Sequence, residues 1–327
     1  MRISKSNQLE QKALHFIKRY SALDAEGLDA YNRDYFHRYA EKLQYQAYMA
    51  CHLLEIADSH RTFKRVIDLG GGIGFQTAFL ASLNRDWEVF YLDADLASCR
   101  AAEQLNKQLG LEGVTYYQGE LNDLIEIIDK DCLILSRDVI EHIYDLQGFF
   151  RLSARAGLNI HNTAAVKDSM LRNAEFERIH KVAELLGNTS EAIKARDHAS
   201  SYFRLREEII QAANPNLTAE KVKALAELTR GLAKTDILKF LEQESYPDKH
   251  LELLGTNTCD PYTGNWAERL LSRSQYEQLA GDLKLQFYYP KYNALDNKGM
   301  RKMMLQILNI FAQSGIHQIQ PSFSIVY

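Results

Sequence analysis

The sequence is poor in the patterns that build metal sites. Its four cysteines, Cys51, Cys99, Cys132 and Cys259, stand far apart with no Cys-x-x-Cys pair, its ten histidines are scattered, and no His-Glu-x-x-His occurs. Neither a structural nor a catalytic metal is expected. Cys132, in a run that looks like a buried strand, is expected to serve as a small hydrophobe. No stretch of eighteen apolar residues occurs, and the opening MRISKSNQLEQK lacks the apolar segment of a signal peptide. A soluble, cytoplasmic protein without a membrane span is expected. Charge of one sign is lacking too: 39 Lys and Arg are mixed with 43 Asp and Glu, for a formal net charge of -4. No large basic field is offered to nucleic-acid phosphates, and nucleic acid is not the expected partner.

Two phosphate-binding patterns are also missing. The stretch VIDLGGGIG, Val66 to Gly74, is an apolar run with an acid at Asp68 followed by Gly70, Gly72 and Gly74. A strand ending in such glycines makes a tight turn, lets a ligand lie on bare backbone and enters a helix whose free N–H groups face that ligand. A dinucleotide fingerprint starting at Gly70 would need Gly or Ala where Phe75 stands, and no Lys-Ser or Lys-Thr pair follows for a Walker loop. A pyrophosphate cradle, and with it an NAD-dependent enzyme, is disfavoured.

What is present resembles motif I of the class I S-adenosylmethionine-dependent methyltransferases, acid-x-Gly-x-Gly-x-Gly, filled by Asp68, Gly70, Gly72 and Gly74. The resemblance implies a glycine turn under the methionine and sugar, with Asp68 binding the cofactor's amino group directly or through water. EVFYLDAD ends in Asp93, where such enzymes hold both ribose hydroxyls with a carboxylate, and VTYYQGELND places Glu120 where the family has an acid near the adenine amino group. Ala94, Leu121 and Arg137 complete the cofactor residues implied. After CLILSR, Asp138, Glu141 and His142 resemble the family's Asp-x-x-Glu-His signature. Each has a plainer alternative: Asp93 as a turn acid, Glu120 as a helix-start acid, His142 as a loop tie.

Before the glycine motif, Tyr31, Tyr35, Tyr39, Leu43, Ala47, Cys51 and Leu54 recur at helical spacing over 28–56 and predict one helix face. Core packing explains such a stripe, but segments before motif I often close over the cofactor in this family, and Tyr35 and Tyr39 are expected near the active-site mouth. A helix over 146–156 and a fifth strand, LNIHNTA, follow. Residues 165–244 are helical in pattern, with Leu217 and Thr218 as a staple and cap before Val222, Leu225, Leu228 and Leu232. Leaving the sheet at the ends of its parallel strands, this insertion is placed to act as a substrate cap or as a homodimer contact. His180, His198, Tyr202 and Arg206 either face a substrate or pack, and Lys194, Arg196, Arg204 and Arg206 form a modest positive cluster.

The core resumes near Leu253. In TNTCDPYTGNW, Tyr262 and Trp266 suit a flat or cationic substrate group and Asn265 a heteroatom, although Trp266 would equally anchor a folded loop. Ser274 and Glu277 predict a capping box with Gly281 as the stop; LKLQFYYPKYN, a helix over 300–313 and a final strand in IHQIQPSFSIVY complete the pattern. The expected fold is α/β: a seven-stranded Rossmann-like methyltransferase sheet with flanking helices, an N-terminal helical segment and a helical insertion after strand 5. Residues 1–60 would be a helical lid or support, 61–163 the cofactor-binding half, 164–250 the insertion and 251–327 the rest of the core.

Methyl transfer from a sulfonium requires a lone pair held in line behind the methyl, exclusion of water and a place for any proton released. His142 and His161, each expected just past a core strand, are the candidate bases. The function expected is methylation, by S-adenosyl-L-methionine with S-adenosyl-L-homocysteine as product, of an O, N or other nucleophile of a small-molecule acceptor or secondary metabolite. The alternatives are an RNA or protein methyltransferase and a non-catalytic cofactor-binding scaffold of the same fold.

Overall fold

The computed structural model describes residues 5–169, 172–187, 201–243, 254–290, 303 and 322–327. Seven strands form one sheet: β1 (Arg65–Leu69), β2 (Glu88–Asp93), β3 (Val114–Gln118), β4 (Cys132–Arg137), β5 (Leu158–Thr163), β6 (Gln286–Tyr288) and β7 (Phe323–Val326). Their order is β3-β2-β1-β4-β5-β7-β6. β1 to β5 are parallel, and β7 runs antiparallel between β5 and β6. With its flanking helices, this is the Rossmann-like methyltransferase sheet expected. β1 and β4 are buried on both faces and so read as nearly continuous apolar runs. Asp68 breaks that run, and an acid in a central strand needs a reason beyond packing.

Alternate residues of these strands feed two cores. Val66, Leu133, Leu135 and Ile160 pack with α1 (Lys5–Tyr20), α3 (Leu43–His60), α4 (Phe75–Ser82) and α5 (Leu96–Gln108). Ile67, Leu69 and Ile134 pack with α6 (Leu146–Ser153), α11 (Arg273–Ala280) and β7 on the other face. Phe75 is a socket for the N-terminal segment: its ring meets Phe16 at 5.4 Å and Tyr20 at 4.9 Å. The four cysteines are buried and free, and burial pushes the Cys132 thiol up to about 12.

Several expectations are corrected. The single helix over 28–56 is two, α2 (Ala30–Ala40) and α3, and α1 precedes them; Asp29 caps α2 by accepting from the N–H groups of Tyr31 and Asn32. The capping box of α11 uses Ser272 and Gln275 rather than Ser274 and Glu277. His161 lies inside β5, not beyond it. Leu228 is exposed although Val222 is buried. The 300–313 helix, His198, Lys194 and Arg196 fall outside the described residues, Met303 apart.

The insertion builds a core of its own from α8 (Tyr202–Ala213), α9 (Ala219–Leu228) and α10 (Lys234–Gln243), centred on Ile209, Ile210, Val222, Ile237 and Phe240. Thr218 caps α9, accepting from the Lys221 N–H at 3.3 Å. α7 (Asn173–Leu185) packs against α8, and its Phe176 packs with Ala165 and Leu270. No described helix is long and apolar enough to cross a membrane.

Candidate cofactor site

The order of strands places β1 between β2 and β4, so successive connections leave its two sides in opposite directions. A crevice opens there at the C-terminal ends of the strands, the usual ligand position in open α/β sheets. A cleft occupies it, lined by Gly70, Gly71, Gly72, Ile73 and Gln76 after β1, Arg137 at the end of β4 and Asp138 after it, Asp68 of β1 and Tyr35 and Tyr39 from α2.

The glycine turn is required by geometry. Gly70, Gly72 and Gly74 have φ of 67°, 52° and 75°, which side chains rarely adopt. A Cβ on Gly70 would also lie 2.3 Å from Cγ2 of Val139, so the bare backbone of the β1 turn packs directly on a side chain of the turn after β4.

Asp68 is buried at the base of the cleft. Its Oδ1 accepts from Gln76 Nε2 at 2.7 Å and its Oδ2 from the Thr77 hydroxyl. Burial raises the carboxyl to about 6, although both hydrogen bonds oppose the shift. Gln76 Oε1 is buried with no hydrogen-bond partner. Such an atom is costly unless a ligand or water donates to it, and each Asp68 oxygen keeps a second lone pair. The base of the cleft is therefore an acceptor cluster suited to an ammonium.

Arg137, which also lines the cleft, carries a permanent positive charge. Its Nη2 donates to the Tyr39 hydroxyl and to Gln46 Oε1, and its Nε lies 3.7 Å from Asp138. Tyr35 and Tyr39 meet edge to face at 5.7 Å. Asp138 has φ 54°, uncommon for a side-chain-bearing residue, and its N–H donates to the Asn162 carbonyl. Asp93, at the end of β2, is tied to the glycine turn: Oδ2 accepts the Gly72 N–H and Oδ1 the Asp95 N–H, both at 2.9 Å.

Other expected site residues lie elsewhere. Glu120 is exposed at the start of a short turn, where its N–H donates to the Asp123 carboxylate at 2.8 Å and its carbonyl accepts the Asp123 N–H at 3.0 Å, and Leu121 is buried. Ala94 is exposed beside Asp93. His161 is fully buried between Ser136 and Tyr327, its Nδ1 2.8 Å from the Ser136 hydroxyl and its Nε2 3.1 Å from the Tyr327 hydroxyl. Burial drops its pKa to about 3. It is a sheet histidine held neutral, away from the cleft lining, which corrects its assignment as a base.

Trp266 is corrected too. Its ring is buried, stacked on Tyr144 at 6.2 Å with the Arg269 guanidinium 4.3 Å from its centroid, so no face remains for a substrate. Asn265 and Tyr262 are exposed and line no part of the cleft; Tyr262 faces Lys234. His142 is half-buried in the turn after β4, with Nδ1 2.8 Å from the Trp266 carbonyl. The residues that sequence reasoning missed are Gln76 and Thr77, two and three residues beyond the last glycine, where polar side chains in a helix with Ala78, Phe79 and Leu80 buried were the available signal. No three His, Cys, Asp or Glu side chains converge on a metal-sized site among the described residues.

Residues 67–157 match the model of a family described as a methyltransferase domain. No curated protein matches the chain. Among solved structures, the YcgJ protein of Bacillus subtilis is similar at 18% identity and a TM-score of 0.34, covering 40% of this chain and 58% of that one. TehB of Haemophilus influenzae is similar at 17% and 0.29, covering 34% and 39%. The N-terminal domain of EvdMO1, solved with SAH bound, is similar at 15% and 0.33, covering 50% and 68%. The chain thus spans little more than half of YcgJ and less than half of TehB.

Proposed function

We propose that the chain binds S-adenosylmethionine in the cleft between β1 and β4 and methylates a small-molecule acceptor. The observation that carries this reading is the buried, unpartnered Gln76 Oε1 beside the Asp68 carboxylate, within a glycine turn at the topological switch point. Asp68 and Gln76 would accept from an amino-acid ammonium, Arg137 would face its carboxylate, and Asp93, bonded to the Gly72 N–H, would accept from the ribose. Bound there, the cofactor would supply an electrophilic methyl group on a sulfonium. The fit is chemical: the lining offers both acceptors, at Asp68 and Gln76, and a nearly buried cation, at Arg137, as a zwitterion requires.

What the chain itself must add is modest. Tyr35 and Tyr39 would exclude water from the cleft mouth, and His142 is the proton acceptor for an acceptor atom that carries a proton. Calorimetric titration with S-adenosylhomocysteine and, in parallel, NAD tests the reading. Saturable binding of the former alone supports it; failure of folded, ligand-free protein to bind S-adenosylhomocysteine overturns it.

A further inference from the structure

The helical insertion is tied to the turn after β4 by a continuous series of buried polar contacts. Arg206 of α8 is fully buried. Its Nη1 donates to Glu184 Oε2 of α7 at 3.2 Å, its Nη2 donates to Glu184 Oε1, and its Nε donates to the Ala226 carbonyl at 2.9 Å. Burial pushes the Glu184 carboxyl up, but the hydrogen bonds and charge of Arg206 outweigh it and hold the carboxyl below its usual range. Glu184 Oε2 also accepts from the Thr258 hydroxyl at 2.6 Å.

From Thr258 the series continues through the loop. The Thr258 carbonyl accepts the Ala267 N–H at 3.0 Å, and Cys259 forms an antiparallel bridge with Trp266. His180 of α7 adds a second tie: Nε2 is 2.8 Å from the Glu268 carbonyl and Nδ1 2.9 Å from the Thr256 hydroxyl. Tyr144 adds a third, donating to Asp236 at 2.7 Å and accepting the Ala233 N–H at 3.0 Å while stacking on Trp266. Trp266 then meets His142 twice, by its N–H to the His142 carbonyl at 3.2 Å and by its carbonyl to Nδ1 at 2.8 Å.

A carbonyl oxygen only accepts, so the second contact is a hydrogen bond only when the proton sits on Nδ1. The neutral ring then carries its lone pair on Nε2. We infer that the insertion is a brace, not a swinging cap: it fixes the Trp266 carbonyl and thereby selects the Nδ1–H tautomer of His142, with Glu184, Arg206 and Thr258 as positioning residues. The use of that tautomer, an Nε2 ready to take a proton from the acceptor, rests on the methyltransferase reading; the geometry does not.

The test is the tautomer of His142 in the full chain, followed by imidazole nitrogen resonances assigned with His142→Asn. Wild-type protein is expected to favour Nδ1–H by about fivefold, the ratio that a hydrogen bond of ordinary net worth sustains. Thr258→Val removes the hydroxyl bond to Glu184 at nearly constant shape and should bring the two tautomers toward equal populations, while Thr258→Ser restores the wild-type ratio. Near-ultraviolet circular dichroism should be unchanged in all three. A wild-type ring protonated on Nε2, or a Thr258→Val protein with an unaltered ratio, overturns the inference. If Thr258→Val does not fold, Glu184→Gln takes its place, with the same outcomes deciding. Loss of S-adenosylhomocysteine binding in wild type removes the cofactor reading alone, because the tautomer is read without ligand.

Discussion

Gln76 donates from Nε2 to Asp68 Oδ1 at 2.7 Å, while its own Oε1, buried at the cleft, is left without a partner. One amide thus orients a carboxylate and keeps a buried, unpartnered acceptor of its own beside it. The pair predicts a pH dependence whose sign is fixed by the raised Asp68 pKa of about 6. Between pH 3.8 and about 6 the unfolded chain has lost the Asp68 proton and the folded chain keeps it, so stability falls as pH rises through that window and is flat above it. Across it the loss is roughly 3 kcal/mol at most. Asp68→Asn should remove that slope in denaturant unfolding. Since a cationic ammonium favours ionised Asp68, S-adenosylhomocysteine affinity should weaken below about pH 6 in wild type but not in Asp68→Asn.

Arg137 gives a prediction that separates the two ends of the proposed ligand. Hydrogen bonds to charged groups contribute about 1.5–3 kcal/mol. Arg137→Gln should therefore weaken S-adenosylhomocysteine binding by about one to two orders of magnitude and leave binding of a carboxyl-free analogue, 5′-methylthioadenosine, nearly unchanged. Equal losses for both ligands would place the guanidinium away from the carboxylate. Tyr39→Phe, which removes one partner of Arg137, should show the same pattern more weakly.

The sheet was legible because its strands are apolar runs ended by turn residues that only a few backbone conformations accept; Asp68 and the three glycines mark the cleft for the same reason. Periodicity made legible only that Tyr35 and Tyr39 share one face of α2; that this face lines the cleft depends on how α2 packs. The places of His161 and Trp266 were not legible. Polar or aromatic residues near strand ends and in loops have the same linear pattern whether they line a pocket or fill a core, and burial of His161 under Phe149 and Tyr327 depends on the last residue of the chain, 166 positions away. Glu120 was ambiguous for a local reason: an acid suits the start of a turn whether or not a ligand is near.

Gly70 and Gly110 share a left-handed backbone, with φ of 67° and 66°, but not their surroundings. A Cβ at Gly110 meets nothing within 4 Å, whereas at Gly70 it meets Val139. Gly110→Ala should cost only the backbone term, about 1–2 kcal/mol. Gly70→Ala should cost about 1–3 kcal/mol more through overpacking, and Gly70→Ala with Val139→Ala should recover part of that excess. Chemical denaturation of the four proteins checks it; equal losses for the two single variants would show that the β1 and post-β4 turns do not touch.

Glu141 is fully buried, and neither carboxyl oxygen has a partner at normal hydrogen-bond geometry, the weak contact with the Thr163 side chain being outweighed by burial. Burial, and behind it the charges of Asp138 and Glu268, push its carboxyl well above the ordinary range. The folded protein therefore holds Glu141 as a neutral acid at pH values where the unfolded chain, at about 4.5, has ionised it. Below that value the group has no effect on stability; above it, each pH unit costs the wild type about 1.4 kcal/mol until the folded pKa is reached. Glu141→Gln keeps the shape and loses the titration, so its stability relative to wild type should rise with pH from 4.5 upward at that slope. Paired unfolding curves across pH measure the difference directly, and two parallel curves would mean that Glu141 is ionised in the folded state and paired with a cation.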